Sequence, residues 1–105
     1  MITFGEGRTR VWLEVQEIGE DIVITVGGGE RPHIGGVVLK VPDEEVRTMP
    51  IGTHRDLEVL IPIAEATFEK YGKAVVVAGG IHVDDATPEE IQTIMENCER
   101  LARSL

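Results

Sequence analysis

The chain has 105 residues, 42% of them hydrophobic, which suits one domain with a sizeable core and is too short for two independent cores. Its formal net charge of −9 opposes binding to nucleic acid or to an anionic membrane surface. It contains no run of about 18 apolar residues and no cationic start followed by an apolar block, so we expect neither a membrane helix nor a signal peptide. We expect a single domain over residues 1–105 in the reducing cytoplasm, where the lone Cys98 forms no internal disulfide.

The first two predicted strands form a hairpin. In residues 10–17, Val11, Leu13 and Val15 alternate with polar or large residues, which is the period of a strand with one buried face. A short turn begins at Gly19, and the β-branched residues 22–26 predict the returning strand.

A glycine-rich segment follows, Gly27 to Gly36, and holds five of the twelve glycines together with His33. Glycine permits positive φ and close approach, and consecutive N–H groups can form a concavity for an anion. The segment is therefore either a binding loop or a turn without a ligand. Residues 34–41 predict a third strand, which would continue an antiparallel meander.

The second half of the chain reads as helix, strand, helix. Apolar residues at helical spacing predict a helix over residues 56–71 that ends at Gly72, and residues 74–78 predict a buried strand. Pro62 implies that this helix is either kinked there, which we favour, or begins near Pro62. Thr87 and Glu90 form a capping box, and the apolar stripe that follows to Leu105 is typical of a core-facing helix. The predicted fold is α+β: an antiparallel sheet, made of an N-terminal β-meander plus a later strand, with two helices packed on one face.

The three histidines occupy similar positions. His33, His54 and His82 each lie near glycine at the end of a predicted element, where binding groups concentrate, so we expect one shared pocket. Three chemistries compete for it: a metal site, acid–base chemistry by His82 with Asp84 or Asp85, and a phosphate-bearing ligand. The phosphate would be held by glycine-loop amides, by Arg31 or Arg55, and by the helix start near His54. The residues favour this third reading.

Three ordered segments together resemble the LpdD-like proteins. The segments are Arg31-Pro32-His33-Ile34-Gly35-Gly36, Gly52-Thr53-His54-Arg55-Asp56, and Ala78-Gly79-Gly80-Ile81-His82-Val83-Asp84 followed by Ala86-Thr87-Pro88-Glu89-Glu90-Ile91. The resemblance covers roughly residues 9–103. It implies a fold similar to the proteasome-assembly chaperones and a chaperone role for prenylated flavin mononucleotide (prenylated FMN), beside UbiD-type decarboxylases such as gallate decarboxylase.

The resemblance also implies partners and a site. The protein would bind the flavin made by a UbiX-type prenyltransferase and deliver it to the decarboxylase, as a homodimer and not as an enzyme, with neither catalytic residues nor metal ligands. Arg31 or Arg55 would face the phosphate of prenylated FMN or FMN. Carried over by position, the predicted flavin site consists of Gly28, Gly29, Arg31, His33, Gly35, Gly52, His54, Arg55, Gly80, His82 and Asp84.

Two other functions stay open on the sequence. The first is a protein-assembly factor that binds a partner subunit without a cofactor, in which case the glycines would serve turns alone. The second is a small histidine-based metal-binding protein or metal-dependent enzyme.

Overall fold

One mixed six-stranded sheet carries both helices on one face, which confirms the α+β class. The computed structural model describes residues 1–52 and 55–105. The elements in chain order are β1 (Ile2–Phe4), a 3-10 turn (Gly7–Thr9), β2 (Val11–Ile18), β3 (Asp21–Gly29), β4 (Gly36–Lys40), β5 (Arg47–Pro50), α1 (Leu57–Tyr71), β6 (Val75–His82) and α2 (Pro88–Arg103).

Strand β6 lies in the interior of the sheet. The strand order is β1-β2-β3-β6-β4-β5, in which β3 and β6 are parallel and every other neighbouring pair is antiparallel. The expectation that the third predicted strand continues the meander is therefore wrong, because β6 separates β4 from β3. The apolar run of residues 75–78 explains this position, since strands without polar alternation are typical of sheet interiors, and a parallel neighbour requires a long crossover such as the one through α1.

The glycine run begins inside the sheet and not in a loop. Strand β3 continues through Gly27 and Gly28 to Gly29, and these residues pair with Gly80, Ile81 and His82 of β6. A side chain is excluded at Gly79, where a Cβ atom would lie 1.8 Å from the carbonyl oxygen of Val26. The loop proper is thus confined to residues 30–35.

Helix α1 runs without interruption through Pro62, so the helix neither starts nor stops there. Pro62 lies on the exposed face of α1, where the missing N–H leaves one carbonyl to the solvent. The helix ends as predicted at Gly72, which has a φ of 64° and donates its N–H to Phe68. The capping box of α2 is also confirmed, with Thr87 and Glu90 each bonding the other's backbone N–H.

The core lies between the sheet and the helices. Its fully buried side chains include Leu13, Ile24, Val38 and Val77 from the strands and Leu60, Ile63 and Leu101 from the helices. Cys98 is also buried, and burial, followed by the charge of Asp56, raises the pKa of its thiol to about 12. Neither helix in residues 1–52 and 55–105 is long and apolar enough to cross a membrane.

Candidate functional site

A cavity of about 570 Å³ lies where the ends of β3 and β6 meet the starts of both helices. Because β3 and β6 are parallel, the loops that follow them leave the sheet at the same end of the strands. Strand β4 starts at that end and runs antiparallel to β6. The volume is within the range of about 300–1,000 Å³ for small-molecule sites. The cavity is lined by His33, Ile51, Gly52, Arg55, Asp56, Glu58, Val59, Ile81, His82, Val83, Ala86, Ile91, Ile94 and Met95.

Two of the three histidines meet in this cavity. The ring centroids of His33 and His82 are 6.1 Å apart, and the rings are nearly perpendicular, at 87°. The expectation that the loop of His33 and the loop of His82 form one pocket is therefore confirmed, and these two loops are called the histidine corners below. His54 lies outside the described residues, so its share in the pocket stays a prediction.

Six of the remaining predicted residues lie in or beside the cavity. Gly52 and Arg55 line the cavity, while Gly35 and Gly80 pack against the carboxylate of Asp56 on its wall. Asp84 accepts a hydrogen bond from His82 (Nε2 to Oδ1, 2.9 Å) when that nitrogen carries the proton, and Asp84 also pairs with Arg31.

Gly28 and Gly29 do not line the cavity, and close packing between strands accounts for both. A Cβ atom on Gly28 would lie 2.4 Å from the carbonyl oxygen of Arg10. A Cβ atom on Gly29 would lie 2.5 Å from the carbonyl oxygen of His82.

The backbone amides of the glycine-rich segment are already used within the protein. Gly29 donates its N–H to Arg10, and Glu30 and Arg31 both donate to the carbonyl of His82. The N–H groups of residues 33 and 35 donate to the carbonyls of residues 80 and 79. These five N–H groups are therefore occupied within the protein, which favours side chains such as Arg55 as the groups that would hold a phosphate.

An ion network borders the cavity. The guanidinium of Arg8 bonds Glu90 (Nε to Oε2, 2.9 Å) and the carbonyl of Asp84, while Glu30 accepts the N–H of Asp84. The bond with His82, followed by the charge of Arg31, lowers the pKa of Asp84. These contacts tie the loop after β3 to the loop after β6 and to the start of α2.

Helix α2 supplies apolar side chains to the cavity, which the sequence did not predict. The apolar stripe of α2 was expected to be core throughout, yet its first two turns supply Ile91, Ile94 and Met95 to the cavity, and Ile91 is 40% exposed. Only the later part of the stripe, with Cys98 and Leu101, is buried. The signal in the sequence was that the stripe begins directly after the His82 loop.

The side chains that line the cavity are of mixed character. The cavity is lined by polar side chains, among them those of His33, His82 and Arg55, and by aliphatic side chains, and this combination suits a ligand with an apolar ring body and a polar edge. Within residues 1–52 and 55–105, no three His, Cys, Asp or Glu side chains are grouped so as to hold a metal ion. The three-histidine metal reading depends on His54, outside the described residues.

Comparison with protein families identifies the class. The model of the prenylated flavin chaperone LpdD-like domain matches residues 5–105. The chain therefore belongs to the LpdD-like family of prenylated flavin chaperones.

Comparison with solved structures supports the fold. A chain from the crystal structure of a chaperone complex for yeast 20S proteasome assembly is similar, with a TM-score of 0.58 over 98% of this chain and 94% of that chain. The two sequences are 14% identical, so the likeness concerns the fold alone. No curated protein matches the sequence significantly.

Proposed function

We propose that the protein binds prenylated FMN in the cavity between the two histidine corners and the start of α2, and delivers it to a UbiD-type decarboxylase. The observation that carries the proposal is the union, in one cavity, of residues from all three segments that resemble the family: His33, Arg55 and His82. These side chains are polar, whereas the side chains that α2 adds to the cavity, Ile91, Ile94 and Met95, are apolar. A flavin has the same division between its ring body and its polar edges.

The apolar and the polar side chains that line the cavity have distinct roles in this proposal. The aliphatic side chains of Val59, Ile94 and Met95 cover the apolar part of the ring system, whose burial contributes about 25 cal/mol per Å². His33 and His82 contact its polar edge. Arg55 lines the cavity, so we assign it the phosphate, while Arg31 stays paired with Asp84.

A carrier of this kind holds its ligand without reacting with it. The described cavity residues include no serine, threonine or cysteine, so they offer no hydroxyl or thiol nucleophile beside a histidine base. The only cysteine is buried, and its raised pKa keeps it protonated. We therefore propose a binding protein and not an enzyme.

The test is co-expression with a UbiX-type flavin prenyltransferase, followed by purification, absorbance spectroscopy and mass spectrometry of the released ligand. Prenylated FMN should co-purify, and addition of the loaded protein should activate an apo UbiD-type decarboxylase. If neither FMN nor its prenylated form binds at micromolar concentration, the proposal is wrong, and an assembly factor without a cofactor becomes the better account.

We also propose that the protein is a homodimer that pairs through the sheet face opposite the helices. Val23, Val76 and Leu39 form one row across this face, and each is partly exposed although apolar. The β2 side of the face carries Glu14 and the β5 side Arg47. A two-fold axis parallel to the strands would bring the Glu14 side of one copy over the Arg47 side of the other and would bury the apolar row of both copies.

Light scattering after size exclusion tests this pairing. The protein should have twice the mass of the 11.5 kDa chain, and Val76→Lys should reduce it to a monomer. Thr25→Lys places the same charge on a more polar part of the face and should weaken the dimer less. A wild-type monomer at high micromolar concentration would contradict the dimer.

A further inference from the structure

Asp56 is used unusually at the start of α1. Aspartate is favoured before a helix because its carboxylate accepts an N–H of the first turn. Asp56 occupies that position, but its side chain makes no capping bond. Instead, Oδ1 accepts the N–H of Ile81 at 3.0 Å, and Oδ2 lies 3.3 Å from Nε2 of His33. The carboxylate therefore joins β6 and the loop before β4 to α1.

Two glycines make room for this carboxylate. A Cβ atom on Gly35 would lie 1.9 Å from Oδ2 of Asp56, and one on Gly80 would lie 3.0 Å from the same atom. Both glycines belong to the segments that carry the two cavity histidines. Because neither position carries a side chain, the carboxylate of Asp56 can reach the wall of the cavity.

The carboxylate gives this part of the cavity a defined chemistry. An ionised carboxylate only accepts hydrogen bonds, and the Asp56 side chain, 17% exposed, lines the cavity. The next residue back along the chain, Arg55, lines the same cavity and carries the opposite charge. An anionic group is therefore attracted towards Arg55 and repelled from Asp56 and from Glu58, which also lines the cavity, while a ligand N–H is favoured beside Asp56.

We propose that Asp56 is the positioning residue of the site. It holds His33 and the Ile81 corner in place and orients the ligand, so that an N–H on the edge of the flavin ring faces Asp56 and the phosphate faces Arg55. This inference rests on the proposed function. FMN and its prenylated form share the imide N–H at N3 and the phosphate, so FMN is a suitable probe of the orientation.

The experiment compares FMN, N3-methyl-FMN and riboflavin as ligands of the wild type, Asp56→Ser and Arg55→Gln in equilibrium titrations. Serine can still cap α1 but is too short to join its partners. Asp56→Ser should weaken FMN binding at least about tenfold and should abolish the wild-type preference for FMN over its N3-methyl analogue. Arg55→Gln should abolish the preference for FMN over riboflavin but should keep the preference for FMN over N3-methyl-FMN.

Retained discrimination at N3 in Asp56→Ser would overturn the proposed orientation. If the serine variant does not fold, Asp56→Asn takes its place, because asparagine keeps the size and the acceptor for Ile81 and loses the charge. A wild-type protein that binds neither these three flavins nor prenylated FMN overturns the proposed function and the orientation together.

The positioning role has a readout that needs no flavin. The ring ¹⁵N chemical shifts of His33 should change in Asp56→Ser, and the amide of Ile81 should exchange faster with solvent, while Arg55→Gln should leave both unchanged. Unaltered His33 shifts and Ile81 exchange in Asp56→Ser would overturn the positioning role, whichever flavins bind.

Discussion

The two helices of this protein begin in opposite ways. Helix α2 begins with a closed local unit, in which Thr87 and Glu90 satisfy each other's N–H groups three residues apart. Helix α1 begins with an aspartate whose carboxylate is directed away from its own helix, to Ile81 and towards His33. The two capping bonds of α2 therefore stay within their own helix, whereas the carboxylate at the start of α1 bonds other elements at the wall of the cavity. Residues that break a local rule in this way are often functional.

The role of the Asp56 carboxylate is tested most directly by a substitution at Gly35. In Gly35→Ala the new methyl group would meet Oδ2 of Asp56 at 1.9 Å, so the carboxylate has to move. We expect a loss of about 2 kcal/mol in the free energy of unfolding, within the usual cost of overpacking, together with loss of flavin binding. Urea unfolding and flavin titration measure the two effects.

Gly36→Ala is the matched control. Its methyl group would meet a side-chain carbon of Leu57 at 2.9 Å, and a leucine terminus can shift, so stability should fall by less than in Gly35→Ala. If Gly35→Ala were as stable as the control and bound flavin normally, Asp56 would not depend on this space.

A smaller effect is expected at the start of α2. Thr87→Ala removes the hydroxyl that accepts the N–H of Glu90 and should cost about 1 kcal/mol in the free energy of unfolding. Flavin affinity should stay within twofold of the wild type, because this cap is local to the helix. Thr87→Ser keeps the hydroxyl and should restore most of the stability. A loss of affinity as large as that of Asp56→Ser would remove the distinction between the two helix starts.

The smallest expected effect is the pH dependence at Asp84, the partner of His82. Its pKa is lowered from the ordinary value of 3.8, mainly by the bond with His82 and then by Arg31. The folded state thus binds this proton less tightly than the unfolded state, so the stabilisation is complete above 3.8 and is lost as the pH falls through the lower folded pKa.

Thermal unfolding of Asp84→Asn against wild type measures this effect. The variant should be less stable at pH 6, and the difference in Tm should shrink as the pH is lowered from 6 to below 3.8. A difference that stays constant across this range would show that the His82–Asp84 pair contributes nothing through its charge.

The sequence predicted local features well and distant partnerships poorly. The capping box at Thr87 and the end of α1 at Gly72 were predicted because each depends on neighbouring residues. The place of β6 between β3 and β4 was not, because strand order depends on pairing across the whole chain. The histidine corners were found through their glycines, but Asp56 was missed, since its partners lie 25 and 23 positions away.

The glycine segment shows the same limit. Its richness in glycine indicated close approach to the backbone, which the structure shows, but the sequence did not identify the approaching groups. Gly28 and Gly29 allow close packing of strands, and Gly35 admits a carboxylate. Composition therefore indicated where the backbone is approached closely, and only the structure identified what approaches it.

The central claim is that the cavity between the histidine corners and α2 holds the flavin. The most direct test is an anaerobic titration of prenylated FMN into the wild type, Ile94→Leu and Ile94→Trp, because Ile94 lies on the apolar wall and tryptophan would fill the space. We predict one flavin per chain for the wild type and the leucine variant, and at least about tenfold weaker binding for a folded tryptophan variant. Equal affinity in all three proteins would contradict the claim.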